Sequence, residues 1–121
     1  MYWQKEEECL PRPDLTKLQL ERLKNTLKRV ATNVPFYRNK FTELKLDPEK
    51  MSSLDDLKDY PFTLKQDLRD NYPYGLFAVP LRDVVRVHSS SGTTGMATVV
   101  GYSKNDINTW SDLVARVLCG A

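Results

Sequence analysis

The chain has 121 residues, of which 40% are hydrophobic and 28% charged, and its 18 basic and 16 acidic side chains give a formal net charge of +2. This composition predicts a soluble globular protein and excludes a disordered tail. The near balance of charge provides no electrostatic case for nucleic-acid binding, which demands a basic face or stripe.

The apolar runs and the cysteines indicate the cellular compartment of the protein. No apolar run approaches the roughly 18 residues that would span a bilayer, and the polar, acidic residues 1–8 do not form a signal peptide. Cys9 and Cys119 lie far apart without a companion histidine, so they predict neither a disulfide framework nor a metal site. We therefore expect a cytoplasmic protein without a membrane partner.

Residues 1–80 have the pattern of small helices. Asp14 is expected to cap the first of them, and apolar residues then recur at helical spacing. Pro35 should end this helix near Asn33 and begin the next, because a proline disfavours helical geometry in the residue before it and suits a first helical turn. The second helix has an apolar face for which core packing is favoured over a ligand cage, formed by Phe36, Tyr37, Phe41 and Leu44.

Two further helix starts are indicated by capping boxes. Ser53-x-x-Asp56 resembles such a box, and Thr63-x-x-Gln66 fits its pattern directly. Lys65 and Arg69 lie four residues apart on one predicted helix face, where a solvated surface is favoured over an anion site.

From residue 81 onward the pattern changes to strand, loop, strand and helix. The runs 84–87 and 98–100 are β-branched, and Ser103-x-x-Asp106 is expected to cap a last helix with an apolar face. We predict an α/β chain in two parts, a helical N-terminal segment at residues 1–80 and a strand–loop–strand–helix segment at residues 81–121. Because the chain stops directly behind this helix, we expect the natural polypeptide to continue.

The segment between the two predicted strands, residues 89–97, is rich in serine, threonine and glycine. It is longer than the 2–5 residues of an ordinary hairpin connection, and its hydroxyl and N–H groups could surround an anion. It is not a Walker A loop, since Met96 stands where that motif has its lysine, and it lacks the G-x-G-x-x-G pattern of dinucleotide sites. The composition favours phosphate binding over a plain connection.

The loop resembles the phosphate loop of adenylate-forming enzymes, Ser/Thr-Ser-Gly-Ser/Thr-Thr-Gly, at every position of Ser90-Ser91-Gly92-Thr93-Thr94-Gly95. Its surroundings are similar to the phenylacetate–coenzyme A ligase branch, and the resemblance runs from about Trp3 to the last residue. It rests on His88 and on three segments in the order that the family shows: Asn33-Val34-Pro35-Phe36-Tyr37-Arg38, Tyr60-Pro61-Phe62-Thr63-Leu64-Lys65-Gln66-Asp67-Leu68-Arg69 and Thr98-Val99-Val100-Gly101-Tyr102.

The resemblance implies that residues 81–121 are the beginning of a nucleotide-binding α/β domain, at the start of the large N-terminal domain of a ligase. This ligase activates an aromatic carboxylic acid with ATP and Mg²⁺ and transfers it to coenzyme A. It implies that the ATP phosphates are held by Ser90, Ser91, Gly92, Thr93, Thr94 and Gly95. No catalytic residue or metal ligand can be assigned here, because the family's adenine-binding motif, acidic Mg²⁺ residue and late lysine lie beyond residue 121. The chain alone is therefore expected to be inactive.

The chain departs from the family pattern directly after the loop, and His88 and Tyr102 lie on either side of the loop. Met96-Ala97 stands where the family has Lys-Pro, which should weaken phosphate affinity or alter how the loop closes. His88 is interpreted as a strand-end residue with one hydrogen-bonded ring nitrogen, in preference to a sensor of the acyl or phosphate group. Tyr102 could support the loop or simply pack as an aromatic residue.

The alternative hypothesis is a non-catalytic module, either a degenerate phosphate binder or a helical interaction domain. An apolar helix face without a partner in the chain often marks an interaction surface. On that hypothesis the last helix mediates association into a homodimer.

Overall fold

The computed structural model describes residues 1–90 and 97–120. Helices come first in the chain and are followed by strand, strand and helix, which confirms the predicted class. The helices are α1 (Lys5–Glu8), α2 (Arg12–Asn33), α3 (Pro35–Glu43), α4 (Lys65–Asp70) and α5 (Lys104–Gly120). The strands are β1 (Val84–Ser89) and β2 (Val99–Ser103), and short 3₁₀ turns occur at Pro48–Lys50, Leu54–Asp59 and Leu81–Asp83.

Helix α2 begins earlier than the sequence predicts. Pro11 occupies the N-cap position, and Asp14 lies inside the first turn, so the expected aspartate cap is wrong. Pro13 in that turn lacks an N–H group, so one fewer backbone donor needs a capping acceptor. The carboxylate of Asp14 still interacts favourably with the positive N-terminal end of the helix dipole. The other end agrees with prediction, since α2 stops at Asn33 and Pro35 begins α3.

The core of the helical part lies where α2 and α3 meet the two 3₁₀ turns that follow them. Its buried members are Leu27, Phe41 and Met51, and the Phe41 ring packs edge-on against Tyr60 with 5.2 Å between centroids. Phe41 therefore has the core role expected of it. Leu44 does not, since it lies just beyond the end of α3 and is 53% exposed.

The two predicted capping boxes have different outcomes. At the first, Ser53 Oγ accepts from the N–H of Asp55, and Asp56 Oδ2 accepts from the N–H of Ser53 at 3.0 Å, although the turn that follows is 3₁₀. The second box is wrong. Helix α4 starts at Lys65, one residue later than that box requires, and the N–H of Leu64 is satisfied by Asp67 Oδ2 at 2.7 Å. The acceptor three residues beyond the N-cap is thus an aspartate that sequence reasoning passed over.

The Asp56 cap predicts a pH-dependent contribution to stability. Hydrogen bonds from the N–H groups of Ser52 and Ser53 lower the pKa of Asp56 below its ordinary value. A carboxylate whose pKa is lowered by folding stabilises the protein above its unfolded-state pKa, and this contribution is lost as the pH falls through the folded-state pKa. We expect Asp56→Asn to be less stable than the wild type at pH 7, with the difference shrinking in acid.

Urea unfolding of wild type and Asp56→Asn between pH 7 and pH 3 measures this dependence. Asp59→Asn is the matched control, because the Asp59 carboxylate takes no part in the capping bonds. An Asp56→Asn deficit that stays constant over this pH range would contradict the prediction.

The sheet consists of two antiparallel strands in the described part of the chain. The register pairs Ser89 with Val99 and His88 with Val100, with an irregularity between Val84 and Arg86. The strands extend beyond the two predicted runs, as far as Ser89 and Ser103. Helix α5 packs against β2, and its start agrees with prediction, because Asp106 Oδ2 accepts from the N–H of Ser103 at 2.8 Å.

Within residues 1–90 and 97–120, no helix combines the length and the apolar content needed to cross a bilayer.

Candidate functional site

The ends of the predicted phosphate loop are joined by direct hydrogen bonds. The N–H of Ser90 donates to the carbonyl oxygen of Thr98 at 3.0 Å, one residue beyond the last strand pair. The N–H of Thr98 donates to Ser90 Oγ at 3.2 Å, and Ser90 Oγ lies 2.7 Å from Thr98 Oγ1. Ser90 and Thr98 are thus hydrogen-bonded to each other at the two ends of the loop, next to the last residue pair of the sheet.

Of the six predicted phosphate ligands, Ser90 is the one whose position the structure gives, and it is exposed. The other five, Ser91, Gly92, Thr93, Thr94 and Gly95, lie outside the described residues, as does Met96. Sequence reasoning did not single out Thr98 as part of this site. Its hydroxyl, placed directly after the loop, was the available signal.

His88 belongs to an aromatic cluster at the end of β1. Its ring lies edge-on to Tyr102 and to Trp110, at centroid distances of 5.0 Å and 5.8 Å. Tyr102 and Trp110 are stacked at 5.6 Å with 25° between their planes. The strand-end position expected of His88 agrees with the structure, and this packing joins the sheet to α5 just two residues before Ser90.

The strand that follows the loop is held from its other side by the segment 72–80. Gly101 lies directly against the ring of Phe77, so closely that a Cβ on residue 101 would lie 2.6 Å from Phe77 Cζ. The side chain of Asn33 donates to the carbonyl oxygen of Ala78 at 3.0 Å, which ties the same segment to the end of α2. The helical part therefore supports β2 through Phe77 and Ala78.

The N-terminal segment also contacts α5, a connection that sequence reasoning missed. Trp3 Nε1 donates to Asp112 Oδ1 at 3.1 Å, and the Arg116 guanidinium donates to Gln4 Oε1 and Glu7 Oε2. A polar cleft of about 470 Å³ between the N-terminal segment, α2 and α5 is bordered by Gln4, Glu7, Asp112 and Arg116. Bonds between residues more than 100 positions apart carry no local sequence signal.

The outward face of α5 is apolar and exposed in the described structure. Val117 and Leu118 are 70% and 73% exposed, and Val114 is also exposed. A shallow apolar groove of about 360 Å³ lies between this face and Arg86.

In the part of the chain that the structure describes, no three or more histidine, cysteine, aspartate and glutamate side chains are grouped so as to hold a metal ion. Cys9 is exposed and Cys119 is half-buried, both as free thiols.

Comparison with curated proteins finds close relatives over most or all of this chain. Proteins named phenylacetate-coenzyme A ligase from Pseudomonas putida and Escherichia coli (strain K12) are 57% and 55% identical over 107 and 108 residues. The protein of the same name from Thermus thermophilus is 54% identical over 121 residues, which is 100% of this chain. The chain spans about a quarter of these relatives, between 24% and 27% of their lengths. No model of a known protein family matches.

Solved structures of CoA ligases are similar to this chain in fold. A crystal structure of 2-hydroxyisobutyryl-CoA ligase in complex with 2-HIB-AMP and CoA has a TM-score of 0.87 and 32% identity, covering 97% of this chain and 26% of that one. An open conformation of the same ligase, also with 2-HIB-AMP and CoA, has a TM-score of 0.84 and 29% identity. The helical segment and the two-stranded sheet thus match the N-terminal part of an adenylate-forming CoA ligase. In sequence, the chain is therefore similar to about a quarter of the length of phenylacetate–coenzyme A ligases, and in fold it is similar to the corresponding part of a CoA ligase.

Proposed function

We propose that this chain is the phosphate-loop segment of a cytoplasmic ligase that joins an aromatic carboxylic acid of the phenylacetate type to coenzyme A. In the first step a carboxylate oxygen attacks the α-phosphorus of ATP, which forms the acyl-adenylate and releases pyrophosphate. In the second step the thiol sulfur of coenzyme A attacks the acyl carbon, its proton is lost to solvent, and AMP leaves. The observation that carries the proposal is the 54% identity to a phenylacetate-coenzyme A ligase over the whole chain.

The proposed role of residues 90–95 follows from the charge that develops in the first step. As pyrophosphate leaves, negative charge accumulates on its oxygens, and fixed donors stabilise that charge without having to reorganise. The segment contains four hydroxyl groups, in Ser90, Ser91, Thr93 and Thr94, together with the N–H groups of two glycines. We infer that these donors hold the β- and γ-phosphates.

Hydroxyl and amide donors carry no formal charge, so a cation must neutralise the phosphates. When bound, Mg²⁺ would supply this neutralisation and draw electrons toward the phosphate oxygens. The described residues contain no cluster suited to hold a metal ion, and we assign no metal ligand to this segment. We propose that Mg²⁺ enters with the nucleotide.

A chimeric enzyme tests the proposal directly. The aligned residues of the Thermus thermophilus ligase are replaced by the 121 residues of this chain, and ATP-dependent formation of phenylacetyl-CoA is measured. Activity would support the proposal, and a second chimera with Ser91→Ala and Thr94→Val should lose most of it. A chimera that melts near the temperature of its parent but forms no acyl-CoA would contradict the proposal.

Met96 offers a prediction about charge at the loop. The resemblance places a lysine at this position, and a charged donor contributes about 1.5–3 kcal/mol to a hydrogen bond. We therefore expect Met96→Lys in the chimera to lower the KM for ATP about tenfold and to leave the KM for coenzyme A unchanged. Steady-state kinetics check this, with Met96→Gln as the uncharged control of similar length. Equal effects of lysine and glutamine would contradict it.

The ligase proposal and the alternative of a non-catalytic module differ in what covers the exposed face of α5. In a ligase we expect further polypeptide to cover Val117 and Leu118, whereas a non-catalytic module would cover them with a second copy of itself. Sedimentation and Mg-ATP titration of the chimeric ligase distinguish the two, because the chimera supplies the adenine-binding motif that is expected beyond residue 121. Concentration-dependent dimers that bind no nucleotide would favour the module.

A further inference from the structure

We propose that Thr98 is a positioning residue of the nucleotide site, which orients the Ser90 hydroxyl so that its hydrogen points to a phosphate oxygen. This inference rests on the proposed function and deepens it at one contact. It adds a residue to which neither the loop pattern nor the family resemblance gives a role.

Among residues 1–90 and 97–120, the Ser90 hydroxyl has its hydrogen-bonding contacts with one neighbour, Thr98. Ser90 Oγ receives the N–H of Thr98 at 3.2 Å and lies 2.7 Å from Thr98 Oγ1. The backbone of Ser90 is fixed by the same residue, because its N–H donates to the Thr98 carbonyl oxygen at 3.0 Å. Backbone and side chain of Ser90 are therefore both set by Thr98.

The number of hydrogen bonds that the Ser90 hydroxyl can form determines which of its groups is available to a ligand. A serine hydroxyl has one hydrogen to donate and two lone pairs to accept with. The N–H of Thr98 occupies one lone pair. In the arrangement that we propose, the Thr98 hydroxyl donates to the other, so that the Ser90 hydrogen is left for a ligand.

Exposure agrees with this division of roles. Ser90 is exposed and Thr98 is half-buried beside it, so a ligand can reach the serine while the threonine stays behind it. A donor whose direction is fixed before the ligand binds loses less rotational freedom on binding, which strengthens the contact. Thr98 would thus act on ATP only through Ser90.

The test is a double-mutant cycle in the chimeric ligase, read as the KM for ATP beside the KM for coenzyme A and the melting temperature. We expect Thr98→Val, which removes the hydroxyl at similar size, to raise the KM for ATP about fivefold, as for the loss of one well-placed hydrogen bond. The KM for coenzyme A and the melting temperature should stay near the parent values. Thr98→Ser keeps the hydroxyl and should restore the parent KM for ATP.

Coupling between the two residues is the decisive result. If Thr98 acts through Ser90, Thr98→Val should have no further effect once Ser90→Ala has been made. An unchanged KM in Thr98→Val, or an undiminished effect of that substitution in the Ser90→Ala background, overturns the inference. A chimera without any ATP-dependent activity would instead count against the proposed function.

Discussion

Phe41→Ala is expected to lower the free energy of unfolding by about 3–5 kcal/mol, the usual cost of truncating a buried phenylalanine to alanine. Phe41 is 5% exposed and lies in the core of the helical part, edge-on to Tyr60. Removing its ring leaves a cavity beside Leu27, Met51 and Tyr60, which neighbouring side chains fill only in part. Urea unfolding followed by circular dichroism and tyrosine fluorescence measures the loss.

Phe62→Ala is the matched control for this substitution. Phe62 is 87% exposed, so the same truncation removes little buried area and should change the free energy of unfolding by less than about 0.5 kcal/mol. Similar losses in the two variants would contradict the packing described for Phe41.

Gly101→Ala is expected to destabilise the fold by about 1–3 kcal/mol, the typical cost of forcing extra volume into a packed site. The new Cβ would lie 2.6 Å from Phe77 Cζ and 3.1 Å from Cδ2, so the ring or the strand must move. Because β2 follows directly from Thr98, we also expect the chimeric ligase with this substitution to bind ATP less tightly. Unfolding and the KM for ATP are measured on the same variant.

Two further variants identify the cause of that loss. Gly120→Ala adds a methyl group at the end of α5, where nothing lies within 4 Å of the new atom, and should be neutral or slightly stabilising. Combining Gly101→Ala with Phe77→Leu should cost less than the sum of the two single changes, since the smaller side chain makes room for the methyl group. Strict additivity would show that the Phe77 ring is not what limits residue 101.

Neighbouring residues are sufficient to determine several features of this chain. Pro35 ends α2 and starts α3 because its ring acts on adjacent residues, and Ser103 caps α5 through an aspartate three positions away. The glycine spacing within residues 90–95, with Met96 behind it, likewise distinguishes this loop from Walker A and dinucleotide motifs. Each of these features depends on residues within a few positions of one another.

Tertiary structure decided what the sequence could not. Two aromatic contacts depend on how elements pack, the Phe77 ring against Gly101 and the stack of Tyr102 on Trp110. The same is true of the hydrogen bond between Trp3 and Asp112, which joins the two ends of the chain. Ser90 and Thr98 show the division within one site. Their hydroxyls are visible in the sequence, but only the strand register brings them within 2.7 Å, because register is set by backbone pairing across the sheet and by the packing on its faces.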